Sequence, residues 1–290
     1  MASSLMDHVS RERVVGFLAA LEGERNPATS PERLLAAQSY VAEAWRSWGL
    51  QVSLDAVVDG EQCAGLHNVI AHPDGNPTRP RLIIGAHLDT VAGTPGADDN
   101  ASGVAALLEA SRVIATNRVS AAVEFVGFAL EEVGMIGSSQ YAERLRQVGQ
   151  PLIGMLSLEM VGFTEAQGLQ HYPWFLKGRF PSMGTYLGLG ANRRSHRLLK
   201  TVAEAMRSVP DLPIETLVVP ANGAWFPEIR LSDHAPFWDA GYPALLVTDT
   251  AFFRNPHYHQ PTDTVSTLDL DFLTKVTQGL VRVIEELAGG

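Results

Sequence analysis

The chain has 290 residues, 46% of them apolar and 19% charged, the mix of an ordinary globular protein with no bias toward disorder. Its 22 Lys and Arg stand against 32 Asp and Glu, a net charge of -10, which argues against nucleic acid as a partner because that surface needs clustered cations. A single cysteine, Cys63, excludes an intrachain disulfide and reads as a small apolar packing residue, and no apolar run reaches the roughly 18–20 residues that span a bilayer.

Met1 to Ser10 has no basic stretch followed by an apolar one, so no signal peptide is expected and the expected location is the cytoplasm. Two amphipathic helices then occupy about residues 8–48. Val14, Val15, Leu18 and Leu21 recur at helical spacing. A second stripe of Leu34, Leu35, Val41, Ala42 and Trp45 runs from Pro31 in its first turn to a stop at Gly49. Gln51 to Val58 alternates as a strand does, and His67 to Ala71 and Arg81 to Ala86 read as strands around a Pro/Gly/Asn-rich turn at 73–80.

From there the rhythm is strand, loop, helix. Ser102–Thr116 predicts a helix, Ala122–Ala129 a buried strand and Gly137–Gln147 a helix. Leu152–Leu158 predicts a strand, Arg194–Ser208 a helix, Ile214–Val219 and Pro243–Thr248 strands, and Leu268–Leu287 the closing helix. This alternation predicts one α/β domain over residues 1–290, a largely parallel sheet with helices on both faces. The aromatic and glycine-rich stretch at about 163–184 has no periodicity and reads as a lid loop overhanging a site.

Five segments bring acidic or histidine residues to predicted strand ends, where sites assemble in open α/β sheets. His87-Leu88-Asp89 closes the strand through Ile84, and Asp89 can fix the tautomer of a metal-binding His87. Gly96-Ala97-Asp98-Asp99-Asn100-Ala101-Ser102-Gly103 precedes a helix. One such residue suffices as a cap, whereas two adjacent aspartates repel unless a cation lies between them. Glu131-Glu132 follows a buried strand, and neighbouring side chains there diverge, so one can hold metal while the other faces a water. Glu159 ends another apolar strand, and His257 and His259 lie in a proline-rich loop before the last helix. Two His with this many carboxylates suit zinc and exceed the needs of one tetrahedral ion, so a carboxylate shared by two ions fits the set.

These segments, with Ser232-Asp233-His234-Ala235-Pro236-Phe237, resemble metallopeptidase family 28, from about Asn68 to the end. The resemblance implies a three-layer α/β/α domain with a mixed, mostly parallel sheet, the zinc-exopeptidase (phosphorylase/hydrolase-like) fold. It implies two zinc ions, with cobalt or manganese as substitutes, and a peptide as substrate. Asp98 would bridge the ions, His87 and Glu159 would complete one shell, and Glu132 and His259 the other. Glu131 would be the general base, Asp89 would orient His87, and Asp99 would support the bridge. Aminopeptidase members usually carry Asp where Glu159 stands. Met160, Phe252, Phe253 and Tyr258 are candidates for an apolar pocket receiving the first side chain of a peptide. Aminopeptidase activity is therefore expected. The alternatives are a carboxypeptidase, dipeptidase or amidase, with Arg230 or Arg254 clamping a substrate carboxylate, a glutaminyl cyclase, or a binding domain without catalysis.

Overall fold

A computed structural model describes residues 4–58, 65–73, 79–167 and 170–289. Cys63 and most of the expected turn at 73–80 lie outside the described residues. Two helices open the chain, α1 (Arg11–Leu21) and α2 (Pro31–Ser47). The Ser10 hydroxyl accepts the Arg13 amide at the start of α1, and Pro31 takes the first turn of α2, where no amide hydrogen is needed. The sheet strands are β1 (Gln51–Ala56), β2 (His67–His72), β3 (Arg81–His87), β4 (Val123–Phe128), β5 (Leu152–Glu159), β6 (Leu187–Asn192), β7 (Ile214–Val219) and β8 (Ala244–Thr248). Between and after them run α3 (Gly103–Thr116), α4 (Ile136–Gln147), α5 (His196–Arg207), α6 (His234–Asp239) and α7 (Leu270–Leu287).

The eight strands form one sheet in the order β1-β2-β4-β3-β5-β8-β6-β7. The centre, β4-β3-β5-β8, is wholly parallel, as is the β6–β7 pair, while β1–β2, β2–β4 and β6–β8 are antiparallel. Nearly every residue of β3, β4 and β5 is buried, which is why these segments read as unbroken apolar runs rather than alternating ones. One face packs against α1, α2, α3, α5 and α7, and the other against α4 and α6. The protein is thus a single three-layer α/β/α domain with a mixed, mostly parallel sheet.

β6 has no counterpart in the sequence reading. Its run Leu-Gly-Leu-Gly-Ala-Asn carries Gly188 and Gly190 on one face, so neither β propensity nor alternation marks it, yet it is the strand that reverses direction beside β8. At the other side of the sheet, β4 and β5 flank β3 and are reached through helices on opposite faces. That switch point leaves a crevice at the C-terminal ends of β3, β4, β5 and β8. Among the described residues, no helix is long and apolar enough to cross a membrane.

Phe125, at the middle of β4, is fully buried where the sheet meets the larger helical layer. Phe125→Ala should lower the unfolding free energy by about 3–5 kcal/mol, the usual loss for emptying a buried phenylalanine site. Urea denaturation measures it; a loss under about 1 kcal/mol would contradict this packing.

Candidate metal centre

The four parallel strand ends each deliver a polar side chain to one spot. His87 is the last residue of β3, Glu131 and Glu132 follow β4, Glu159 closes β5, and His259 lies in the loop between β8 and α7. A fifth contribution comes from the irregular turn Ala97–Ser102 before α3, where Asp99 and Asn100 leave helical geometry. Three non-glycine residues in or beside this set, Leu130 (φ 61°), Met160 (φ 49°) and His259 (φ 56°), have left-handed backbone. Such conformations are disfavoured unless surrounding structure imposes them, and they concentrate at functional sites.

The geometry centres on Asp99. His87 Nε2 lies 3.2 Å from Asp99 Oδ1 and 3.4 Å from Glu159 Oε2. His259 Nε2 lies 3.1 Å from Asp99 Oδ2 and 3.4 Å from Glu132 Oε2. One carboxylate therefore faces both imidazoles, one oxygen to each, and each imidazole has a glutamate of its own. Glu131 Oε2 stands 4.0 Å from His87 Nε2, beside the cluster.

Asp98, expected as the shared carboxylate, is not in that position. Its Oδ1 accepts the Gly162 amide at 3.0 Å and its Oδ2 accepts from Asn255 Nδ2 at 2.7 Å, so the group is turned into the protein. The Asp98 and Asp99 amides both donate to the Asp263 carboxylate, at 2.9 and 3.1 Å. With the turn held this way, the two side chains diverge and Asp99 faces the histidines. The expected parts of Asp98 and Asp99 are exchanged.

Asp89 also differs from expectation. Its carboxylate accepts the amides of Glu131 and Glu132, at 3.1 and 3.0 Å, and so fastens the end of β3 to the turn after β4. Its side chain is 3.7 Å from His87 Nδ1, whereas its main-chain oxygen is 3.1 Å away. That oxygen can only accept, so in the neutral ring the proton sits on Nδ1 and the Nε2 lone pair points at Asp99 and Glu159.

The donor atoms are unsatisfied as they stand. His87 Nε2, Asp99 Oδ1, Glu132 Oε1 and His259 Nε2 are buried without a hydrogen-bond partner among the described residues. Ligand atoms of His87, Asp99 and Glu132 lie within 4.8 Å of one another. Burial pushes Glu131 well above the usual carboxylate range, and Glu159, Asp233 and Glu132 push the same way against the pull of His87. Burial and the charge of Asp99 take Glu132 up to about 7. Asp99 is held below its ordinary value because the imidazoles of His259 and His87 outweigh its burial. Against their burial, the crowded carboxylates push both imidazoles toward the charged form, His259 up to about 10. A divalent cation would take the place of those protons, and the set fits mixed nitrogen and oxygen ligation.

Several supporting residues went unread in the sequence. Ser232 Oγ donates to Glu159 Oε2 at 2.8 Å, and Asn100 binds the Leu158 carbonyl and the Met160 amide, joining the Asp99 turn to the end of β5. Both stand inside the conspicuous segments, so their neighbourhood was visible and their task was not. Arg25 left no signal. Its guanidinium is buried in a cage of carbonyl oxygens, donating to Leu88 at 2.8 Å, Gly23 at 2.7 Å and Gly96 at 3.0 Å. Burial lowers its pKa to about 10, still far above neutrality, so it is a permanent cation behind the site.

A cavity of about 130 Å³ opens beside Glu159. Phe252, Phe253 and Tyr258 line it, as do Gln170, Leu176 and Phe180 of the stretch expected to overhang a site. Met160 is fully buried and does not line it. Of the two candidate carboxylate clamps, Arg230 is engaged elsewhere and Arg254 is held in the wall behind the cavity. Arg230 pairs with Asp239 at 2.6 Å and binds the Asn222 carbonyl. Arg254 is buried, donates through Nε to Gln170 Oε1 and through Nη1 to the Phe163 carbonyl, lies over the Tyr186 ring, and keeps Nη2 without a hydrogen-bond partner among the described residues.

Comparison with known proteins agrees with this architecture. An uncharacterized protein of Escherichia coli (strain K12), YfbL, is 31% identical over 286 residues, covering 94% of this chain and 86% of its own. A probable leucine aminopeptidase of Trichophyton verrucosum is 28% identical over 312 residues, covering 99% and 76%. Among solved structures, the LapA aminopeptidase of Legionella pneumophila is similar in fold, with a TM-score of 0.79 at 19% identity over 99% of this chain and 74% of that one. The sequence profile of peptidase family M28 matches residues 68–284, through every strand from β2 onward and most of α7. The chain belongs to peptidase family M28.

Proposed function

We propose that the protein is a metal-dependent aminopeptidase that hydrolyses the amino-terminal bond of peptides, with two zinc ions held by His87, Asp99, Glu159, Glu132 and His259. The observation that carries this is the single carboxylate of Asp99 facing two histidines, each with its own glutamate. His87, Asp99 and Glu159 would hold one ion, and His259, Asp99 and Glu132 the other. When bound, such ions polarise the scissile carbonyl and acidify the attacking water. Zinc suits this donor set, and cobalt or manganese can substitute.

Glu131 is the group left free of that ligand set. It stands at the edge of the cluster and the Asp89 carboxylate holds its amide, so its side chain is available to take the proton of the attacking water and return it to the leaving amine. Near bound cations the ionised form of Glu131, Glu132 and Glu159 is favoured. The carboxylate of Glu131, outside the ligand set, would then attract a protonated α-amino group beside the scissile bond, which favours cleavage one residue from the amino end. The carboxypeptidase alternative needs a cation for a terminal carboxylate, and against it weigh the pairing of Arg230 with Asp239 and the absence of Arg254 from the described residues that line the cavity. The relatives called leucine aminopeptidases support the same choice.

Three measurements test this. Glu131→Gln should lower turnover of leucine 4-nitroanilide at least about a hundredfold while metal content stays at that of the parent, and an unchanged rate removes Glu131 as the base. Asp99→Asn should weaken zinc binding by more than about a hundredfold, beyond what loss of a residue merely supporting a ligand brings, with Asp98→Asn within that lesser range. The opposite order in a zinc competition assay would restore Asp98 as the shared ligand. Acetylating the substrate's α-amine should abolish cleavage, and robust hydrolysis of the blocked compound would point instead to an amidase or endopeptidase.

A further inference from the structure

The cavity beside Glu159 has a floor set by strand register. Glu159 on β5 pairs with Thr248 on β8, Thr248 with Gly188 on β6, and Gly188 with Glu215 on β7. Residues paired in this way present their side chains to the same face of the sheet. Neighbouring strands are about 4.8 Å apart, so Glu159 and Glu215 stand roughly 14 Å apart at the two ends of one row. Gly188 keeps the row open. A Cβ there would come within 3.3 Å of the Thr248 carbonyl oxygen and 3.4 Å of Thr250 Cγ2, on the floor of the trough. Leu176, Phe180, Phe226 and Phe253 wall it with apolar surface.

The charged side chains that line it are acidic, while the Arg254 and Arg179 guanidinium groups pack over the Tyr186 and Phe180 rings of its wall. Besides Glu159, the lining includes Glu215 and Glu228, and among the described residues that line it there is no Lys, Arg or His. Neither Glu215 nor Glu228 forms an ion pair among the described residues. A trough with an apolar middle and acidic far end matches a side chain with an aliphatic stem and a cationic tip. The stem lies against rings, which also attract a cation through their faces, and the tip meets carboxylates. An acidic side chain would bring like charges together, and a short one would leave the far end filled with water.

We propose that this trough receives the first side chain of the substrate and that Glu215, with Glu228, selects arginine and lysine at that position. The proposal rests on the aminopeptidase reading and adds a substrate class to it. Arginine and citrulline share shape and differ in charge, so the ratio of kcat/KM for their 4-nitroanilides isolates the carboxylates. Because it is a ratio within one sample, it does not depend on the fraction of a variant that is folded. The parent protein should favour arginine over citrulline by about tenfold or more, the scale of one charge-assisted hydrogen bond. In the double variant Glu215→Gln, Glu228→Gln the ratio should fall to within about twofold of unity. A parent ratio near one, or a ratio that survives the double variant, overturns the proposal while leaving an aminopeptidase intact. Failure to cleave any substrate with a free amine, leucine and alanine anilides included, removes the aminopeptidase reading and the proposal with it.

Discussion

The position of the Asp99 carboxylate between two imidazoles is the constraint around which the rest of the molecule is arranged. Asp89, Asp99, Glu131, Glu132 and Glu159 gather with His87 and His259 in a space mostly closed to water. Burial first, and then the charges of neighbouring carboxylates, makes Glu131 and Glu132 resist ionisation. A fold can hold such a group only if its backbone is fixed from outside the cluster. That is the task of Asp263, which takes two amides of the Asp99 turn, and of Asp89, which takes two amides after β4. Neither aspartate faces the histidines as a ligand, yet each sets where ligands stand.

The parallel sheet makes this convergence possible. Four neighbouring strands running one way end at one edge, so residues separated by tens of positions in the chain arrive side by side. The antiparallel entry of β6 next to β8 then places the start of β6 and β7 at that same edge. The cavity therefore adjoins the polar cluster because strand direction reverses there, and its aromatic walls come from segments on the face of β6 opposite α5.

Much of this was legible in the sequence. Apolar runs of β3, β4, β5 and β8 announced buried parallel strands, and the polar residues at their ends announced the site. β6 was not legible, because two glycines on its inner face erase the pattern that periodicity detects. That Asp99 rather than Asp98 faces the histidines was not legible, because adjacent identical side chains differ only in the direction the turn sends them, a property of φ and ψ. Arg230 and Arg254 looked available because no periodicity pairs them with their partners: Asp239 and the Asn222 carbonyl lie across irregular turns, and Gln170 lies far away in sequence. Arg25 was invisible for the same reason, since carbonyl oxygens leave no mark on composition.

The cage around Arg25 bears on where the working unit of this protein begins. All the candidate ligands fall within the matched span 68–284, and a boundary drawn from motifs would start there. Yet the guanidinium that clasps the carbonyls of Leu88 and Gly96, one residue past His87 and three before Asp99, comes from the link between the first two helices. The opening helices are thus part of the scaffold of the site itself. A fragment cut at the motif boundary would keep every candidate ligand side chain and lose the clasp between two of their loops.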